Sequence, residues 1–220
     1  MRNKQQSMNT VVKNILTKSP SDPSLVQLVD AQDNELGVMD VIAAHQGEGH
    51  LHRAISVFLF RVHPETKQVE LLMQQRSQKK IVGAGLWANT VCGNVRPGES
   101  YDACAHRRLW EELGINGVKL TPVYKFMYQV QCEPGFSEHE LDTVYVGEYW
   151  GEVAPNPLEV LAVKWVPWEG KETGQALRPR LAPWFEIMMA DQRLMEQTVP
   201  FAQQPITPSF LSNLATNTTV

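Results

Sequence analysis

Cys92-Gly93-Asn94-Val95-Arg96-Pro97-Gly98-Glu99, followed by Arg107-Arg108-Leu109-Trp110-Glu111-Glu112-Leu113-Gly114-Ile115, is the stretch that decides the fold. It reads as a glycine-rich loop, a helix and a glycine stop. Gly93 and Gly98 permit backbone conformations that side chains forbid, and Pro97 stiffens the loop between them. The residues from Glu99 to Leu113 predict a helix, with Glu99 favouring its positive end and Gly114 supplying a left-handed stop. Tyr101, Ala105 and Leu109 recur at four-residue steps and form an apolar stripe. Glu112 leans toward the buried edge of that stripe, and Glu111 is turned about 100° away from it. An acidic helix end beyond a glycine loop can hold a cation against a phosphate. The plain alternative is two surface ion pairs, Arg107 with Glu111 and Arg108 with Glu112, each worth about a few tenths of a kcal/mol.

Outward from this segment the chain alternates strands and turns. Val26 to Asp30 predicts a short strand, Asp33-Asn34 with Gly37 a turn, and Val38 to Ala44 a second strand or a loop. Arg53 to Val62 is β-branched and aromatic, as a buried strand requires, and Val69 to Gln75 is its partner after the turn at Pro64 to Lys67. Gly83 and Gly85 mark a loop leading into Leu86 to Val91. Further strands are predicted near 120–130, 143–149 and 160–166, and a last helix over Pro183 to Met195. With no internal repeat and no linker between two cores, this mixture predicts a single α+β domain. Its expected bounds are 25–199, between a polar extension at 1–24 and a loose tail at 200–220 rich in Thr, Asn and Pro.

Composition narrows the setting. A chain of 220 residues, 43% hydrophobic, suffices for one well-cored domain. A net charge of -4 gives no reason to expect nucleic acid as a partner. Cys92, Cys104 and Cys132 make no disulfide framework and suit a reducing cytosol. The most apolar run, Ala54 to Phe60, is too short to span a bilayer, and Met1 to Pro20 lacks the apolar core of a signal peptide. A cytoplasmic protein without a membrane partner is the expectation.

Two clusters carry further chemistry. His45, His50 and His52 crowd one segment, and neutral imidazole is a common ligand for divalent metals. The alternative is a polar loop with incidental histidines. In Glu138-His139-Glu140, strand alternation puts both glutamates on one face, where they repel unless they share a cation or a proton. The alternative there is a solvated strand edge. Arg76, Lys79 and Lys80 precede the glycine loop, either as a phosphate clamp or as ordinary surface charge. Trp87, Tyr128 and Trp184 suit a core, and Trp184 equally suits presenting a π face to a cation.

Taken together, these residues resemble the type I isopentenyl-diphosphate isomerases of the Nudix superfamily. The resemblance covers about Val26 to Met189. It rests on Ala43-Ala44-His45, Leu51-His52-Arg53-Ala54, Leu86 to Gly93, Arg96-Pro97-Gly98-Glu99, the segment from Arg107 to Gly114, Glu138 to Asp142, and Ala182-Pro183-Trp184-Phe185. It implies a Nudix-type α/β/α sandwich with a mixed sheet. It also implies interconversion of isopentenyl and dimethylallyl diphosphate, a small-molecule substrate. Carried over by position, Cys92 and Glu140 become the acid/base pair, Tyr128 the hydrogen-bond partner of Glu140, and Trp184 the π face toward a carbocation. Arg76, Lys80 and Arg108 become phosphate contacts. His45, His52, Asn94, Glu138 and Glu140 become ligands of a divalent metal (Mn²⁺, Zn²⁺ or Mg²⁺), and Glu112 the ligand of a Mg²⁺ that bridges to the diphosphate.

Two positions depart from that family's pattern. Asn94 stands where it carries a third metal histidine, and Val41 where it carries a phosphate-contacting lysine. His50 or His139 are the candidates to compensate for the first. The alternatives to isomerisation are a Nudix hydrolase of a nucleoside or prenyl diphosphate and a non-catalytic diphosphate-binding paralogue. Arg108 stands where the hydrolase box carries glutamate, which argues against hydrolysis.

Overall fold

The computed structural model describes residues 22–178 and 180–196. The expected tail at 200–220, and residues 1–21 of the expected extension, lie outside them. Strand β3, His52–Val62, is the spine of a nine-stranded mixed sheet among the described residues. On one side it runs parallel to β8, Phe136–Glu148, from His52 opposite Glu140 to Phe60 opposite Glu148. On the other it pairs antiparallel, in turn, with β1 (Leu25–Val29), β6 (Val91–Asn94) and β4 (Val69–Arg76). Strand β2 (Glu35–Asp40) pairs with β1, and β5 (Trp87–Ala88) and β9 (Val160–Pro167) pair with β4. Strand β7, Leu120–Glu133, forms a long hairpin with β8.

Strand β3 is buried on both faces because a helix covers each. Ile55, Val57 and Leu59 pack beneath α2, Tyr101–Leu113, against Cys104, Ala105, Leu109 and Leu113. Phe58 and Phe60 belong to the opposite core, with Trp184, Phe185 and Met188 of α3, Pro183–Ala190. Each such side chain contributes about 1.5–3 kcal/mol by leaving water. The result is the expected α/β/α sandwich. Among the described residues no helix is long and apolar enough to cross a membrane.

Four local expectations are corrected. Val38 to Ala44 divides into the end of β2 and a five-residue helix α1, Val41–His45, whose first amides are capped by Asp40. The helix after the glycine-rich loop, α2, begins at Tyr101 with Ser100 as its cap, so Glu99 lies outside it. There Glu99 binds Arg107 at 2.6 Å and the amide of Arg96 at 3.0 Å. The last helix, expected over Pro183 to Met195, is broken at Asp191, which turns extended after Ala190, and residues 192–196 are helical again. Gly93 does not need a positive φ: a Cβ there would lie 2.5 Å from Arg108 Cγ, so glycine makes room for that arginine. Gly98 and Gly114 do take left-handed conformations, at φ 73° and 66°.

Candidate active site

Register places the chemistry. On β3, His52, Ala54 and Ser56 share one face, since side chains alternate along a strand. Ser56 lies opposite Cys92 and Ala54 opposite Asn94 on β6. His52 lies opposite Glu140 on β8, and Glu140 opposite Tyr128 on β7. Residues directly opposed in a sheet point to the same side. Glu138, two residues before Glu140, joins them, and the short helix α1 delivers His45.

His45, His52, Glu138 and Glu140 are all buried and offer ligand atoms within 4.8 Å of one another. His45 Nδ1 lies 2.6 Å from the Val41 carbonyl, and His52 Nδ1 lies 2.7 Å from the His50 carbonyl. A carbonyl can only accept, so each Nδ1 carries the hydrogen and each Nε2 turns toward the carboxylates. His45 Nε2 is 2.9 Å from Glu138 Oε2 and His52 Nε2 is 3.7 Å from Glu140 Oε1. Burial pulls His45 down, but the Glu138 carboxylate overcomes this and raises it to about 9. Burial also pushes Glu138 upward, and the contact with His45 reverses that. Glu140 is raised, by burial first and then by repulsion from Glu138. Two imidazole nitrogens and two buried carboxylates, oriented by backbone acceptors behind them, fit a divalent metal.

Asn94 Oδ1 lies 3.3 Å from His52 Nε2, at the rim of the cluster. His139 takes the opposite face of β8, its ring nitrogen 3.2 Å from the Gly49 carbonyl, and His50 is exposed. Neither belongs to the His/Glu cluster.

Cys92 Sγ donates to Asn89 Oδ1 at 3.1 Å. The Asn89 amide is held by its own donations to the carbonyls of Val57 and Val91, at 3.2 and 2.9 Å. Ser56 Oγ lies 3.6 Å from the sulfur and donates to Asp142 Oδ2 at 2.7 Å. Burial pushes the Cys92 thiol up to about 12, so it carries its proton at neutral pH. Tyr128 Oη donates to Glu140 Oε2 at 2.5 Å.

A bank of cations, Arg76, Lys80 and Arg108, lines the same cavity as Cys92. Glu112, 0% exposed, accepts from Arg108, from Lys80 at 3.2 Å and from Gln74 Nε2 at 2.7 Å. Burial works to raise its carboxyl, and Arg108, Lys80 and Arg76 overcome that and hold it at about 2. The expected pair Arg108 with Glu112 therefore exists, but it is buried. Arg76 donates twice to the Val82 carbonyl and lies over the Trp184 ring, 5.0 Å from its centroid. A Cβ at Gly83 would lie 2.4 Å from the edge of that ring, so glycine is what lets the indole seat there.

A cavity of about 710 Å³ collects these groups. His45, Arg76, Lys80, Cys92, Asn94, Arg108, Tyr128, Glu138, Glu140 and Trp184 all line it. His52 and Glu112 stand behind its wall, and Glu112 lies apart from the His/Glu cluster. Val41 lines the cavity too, leaving an apolar side chain where a lysine was expected. Sequence reasoning missed Asn89, Ser56, Asp142 and Glu159. Asp142 was visible as the next residue of the same strand face after Glu138 and Glu140. Glu159 had no local signal, because its partners Lys80 and Arg108 are 79 and 51 residues away.

A sheet between two helices, with a glycine loop and a charged helix at a cavity, is the architecture of the Nudix class. The family model described as NUDIX domain matches residues 50–185, and the chain belongs to that family. Solved structures agree on the fold: DR0079 from Deinococcus radiodurans has a TM-score of 0.59 at 18% identity, over 75% of this chain and 96% of that one. RenU, a Nudix hydrolase from M. Smegmatis, has a TM-score of 0.52 at 21% identity, over 74% and 96%. Closer relatives narrow the class. The isopentenyl-diphosphate Delta-isomerase of Pectobacterium atrosepticum is 37% identical, over 75% of this chain and 89% of that protein. That of Serratia proteamaculans is 39% identical over 74% and 88%. Within the Nudix class the chain belongs to the isopentenyl-diphosphate Delta-isomerase family.

Proposed function

We propose that this chain is an enzyme interconverting isopentenyl and dimethylallyl diphosphate. The observation that carries this reading is that one cavity is lined by the Cys92 thiol, the Glu140–Tyr128 pair, Trp184 and a bank of cations. An unactivated alkene is a weak base, so its protonation needs a positioned acid in a site shielded from water. Cys92 and Glu140 divide the work. One gives a proton to the terminal alkene carbon, which leaves the positive charge on the tertiary carbon beside it. The other takes a proton from the methylene on the far side of that tertiary carbon, and the double bond forms there. Tyr128 holds Glu140 by its short hydrogen bond and supports the proton on that side. Trp184 supplies an apolar wall and carries Arg76 on its ring, so the arginine is held toward the cavity.

Arg76, Lys80 and Arg108 bind the diphosphate oxygens. His45, His52, Glu138 and Glu140, with Asn94 at their edge, hold a divalent metal, and Mg²⁺, Mn²⁺ and Zn²⁺ are its candidates. When bound, that metal neutralises the paired carboxylates and orients Glu140. Glu112 would hold a Mg²⁺ accompanying the diphosphate, which requires Lys80 and Arg108 to release its carboxylate.

The test is incubation with isopentenyl diphosphate and a divalent metal. Dimethylallyl diphosphate without released phosphate or pyrophosphate is the expected outcome. Released phosphate or pyrophosphate would mean hydrolysis instead, and binding without turnover a non-catalytic role. Replacing Cys92 by Ala is expected to abolish isomerisation while leaving the fold intact.

A further inference from the structure

Glu159 and Glu111 are the acidic residues of the cavity to which neither the resemblance nor the metal cluster gives a role, and of the two only Glu159 contacts both Lys80 and Arg108. It closes a ring of alternating charge. Lys80 and Arg108 each contact Glu112 on one side and Glu159 on the other. The two carboxylates are not equivalent. Glu112 is fully buried behind the cations and does not line the cavity, whereas the Glu159 side chain is 31% exposed and does. Glu159 therefore covers the cavity side of Lys80 and shares that of Arg108 with Glu111, which lies 2.8 Å from the arginine.

Its backbone is fixed. The Glu159 amide donates to the Asn156 carbonyl at 2.9 Å, and its carbonyl accepts from Ser77 at 2.9 Å. Asn156 is in turn tied to the end of α2, through the carbonyls of Glu112 and Glu111. Only the side chain is left to move. Burial pushes the Glu159 carboxyl upward, and Lys80 and Arg108 outweigh that, so it is ionised at neutral pH. A phosphate taking its place gains less from cations already neutralised, and it leaves a displaced carboxylate close to its own negative charge. A divalent cation carried by the phosphate removes that repulsion, because hard cations bind carboxylate and phosphate oxygens together.

We propose that Glu159 is a specificity residue that occupies the phosphate seat of Lys80 and Arg108 and makes the site prefer metal-complexed over metal-free diphosphate. The selection works by repelling the wrong form of the ligand rather than by attracting the right one. This rests on the diphosphate reading above, but not on turnover.

The experiment titrates inorganic pyrophosphate into the full-length protein by calorimetry, in EDTA and in excess Mg²⁺ at equal ionic strength. Glu159→Gln is expected to bind metal-free pyrophosphate about tenfold more tightly than the unaltered protein, with the gain from Mg²⁺ reduced by a similar factor. Glu159→Ala moves the same way. Equal or weaker metal-free binding by both variants overturns the proposal, since it would make Glu159 a prop for the two cations. Lys80→Met separates the two readings. If it weakens pyrophosphate binding while the Glu159 variants do not strengthen it, the Glu159 assignment alone fails. If neither substitution changes binding, the diphosphate site fails with it.

Discussion

Tyr128 and Glu140 face each other across β7 and β8, and the phenol donates to Glu140 Oε2 at 2.5 Å. Both side chains are buried in the wall of the cavity. Tyr128→Phe keeps the ring and removes only the donor. Since a hydrogen bond to a charged group is worth about 1.5–3 kcal/mol, kcat is expected to fall about 10- to 100-fold with KM little changed. Steady-state kinetics check this, and an unaltered kcat removes Tyr128 from the proton path.

The metal-free cluster stores a proton on His45. Its folded value of about 9 lies above the ordinary 6.5, so the His45–Glu138 contact adds stability that is complete below 6.5 and lost as pH rises through 9. A metal needs the Nε2 lone pair that this proton occupies. Metal affinity is therefore expected to rise with pH up to about 9, by about tenfold per unit from this group. Calorimetry of Mn²⁺ binding at pH 7 in buffers of different ionisation enthalpy is expected to report proton release. Binding without release contradicts the assignment of His45 as a ligand.

Asn94 places an amide oxygen 3.3 Å from His52 Nε2, where an imidazole would supply a stronger donor. Asn94→His is expected to raise Zn²⁺ affinity at least about tenfold while changing Mg²⁺ affinity little, because imidazole suits borderline metals better than hard ones. Metal content of the purified variant, measured by mass spectrometry, decides it. Unchanged zinc content would place Asn94 outside the metal's reach.

Glu112 links acid stability to the substrate cations. Its carboxyl is held at about 2 against an ordinary 4.5, so its contribution is present above 4.5 and lost as pH falls toward 2. That contribution is about 3 kcal/mol. Urea unfolding at a series of pH values is expected to show the unaltered protein losing stability across that window. Glu112→Gln should show a flatter profile, and parallel profiles would mean that Glu112 does not hold a depressed value.

What the sequence revealed depended on how local the signal was. The helix α2 was legible because its glycine stop, its stripe and its paired charges lie within fifteen residues. β3 was legible because only a strand buried on both faces tolerates that run of Val, Ile, Leu and Phe. α1 was not: five residues are too few for a helical period, and only Asp40 as a cap announced it. The alternation of Glu138 and Glu140 predicted their common face, but nothing local brought His45 and His52 to it. That assembly follows from the parallel pairing of β3 with β8, a contact between residues some ninety positions apart. The roles of Cys92, Trp184 and the cations came from resemblance, and the cavity then gathered them. Glu159 and Asn89 stayed invisible because each is defined only by partners on other elements.

Strand β3 serves two masters by parity. Its even positions from His52 to Ser56 face the metal cluster and the thiol, while Ile55, Val57 and Leu59 fasten α2. Deleting one residue between 52 and 57 would exchange these duties wholesale, because a one-position shift turns every side chain to the other surface. Backbone hydrogen bonding would survive such a frameshift, yet catalysis and core would both be lost. Natural length variation in this enzyme should therefore be confined to its turns, and a library of single-residue indels should read zero tolerance along β3.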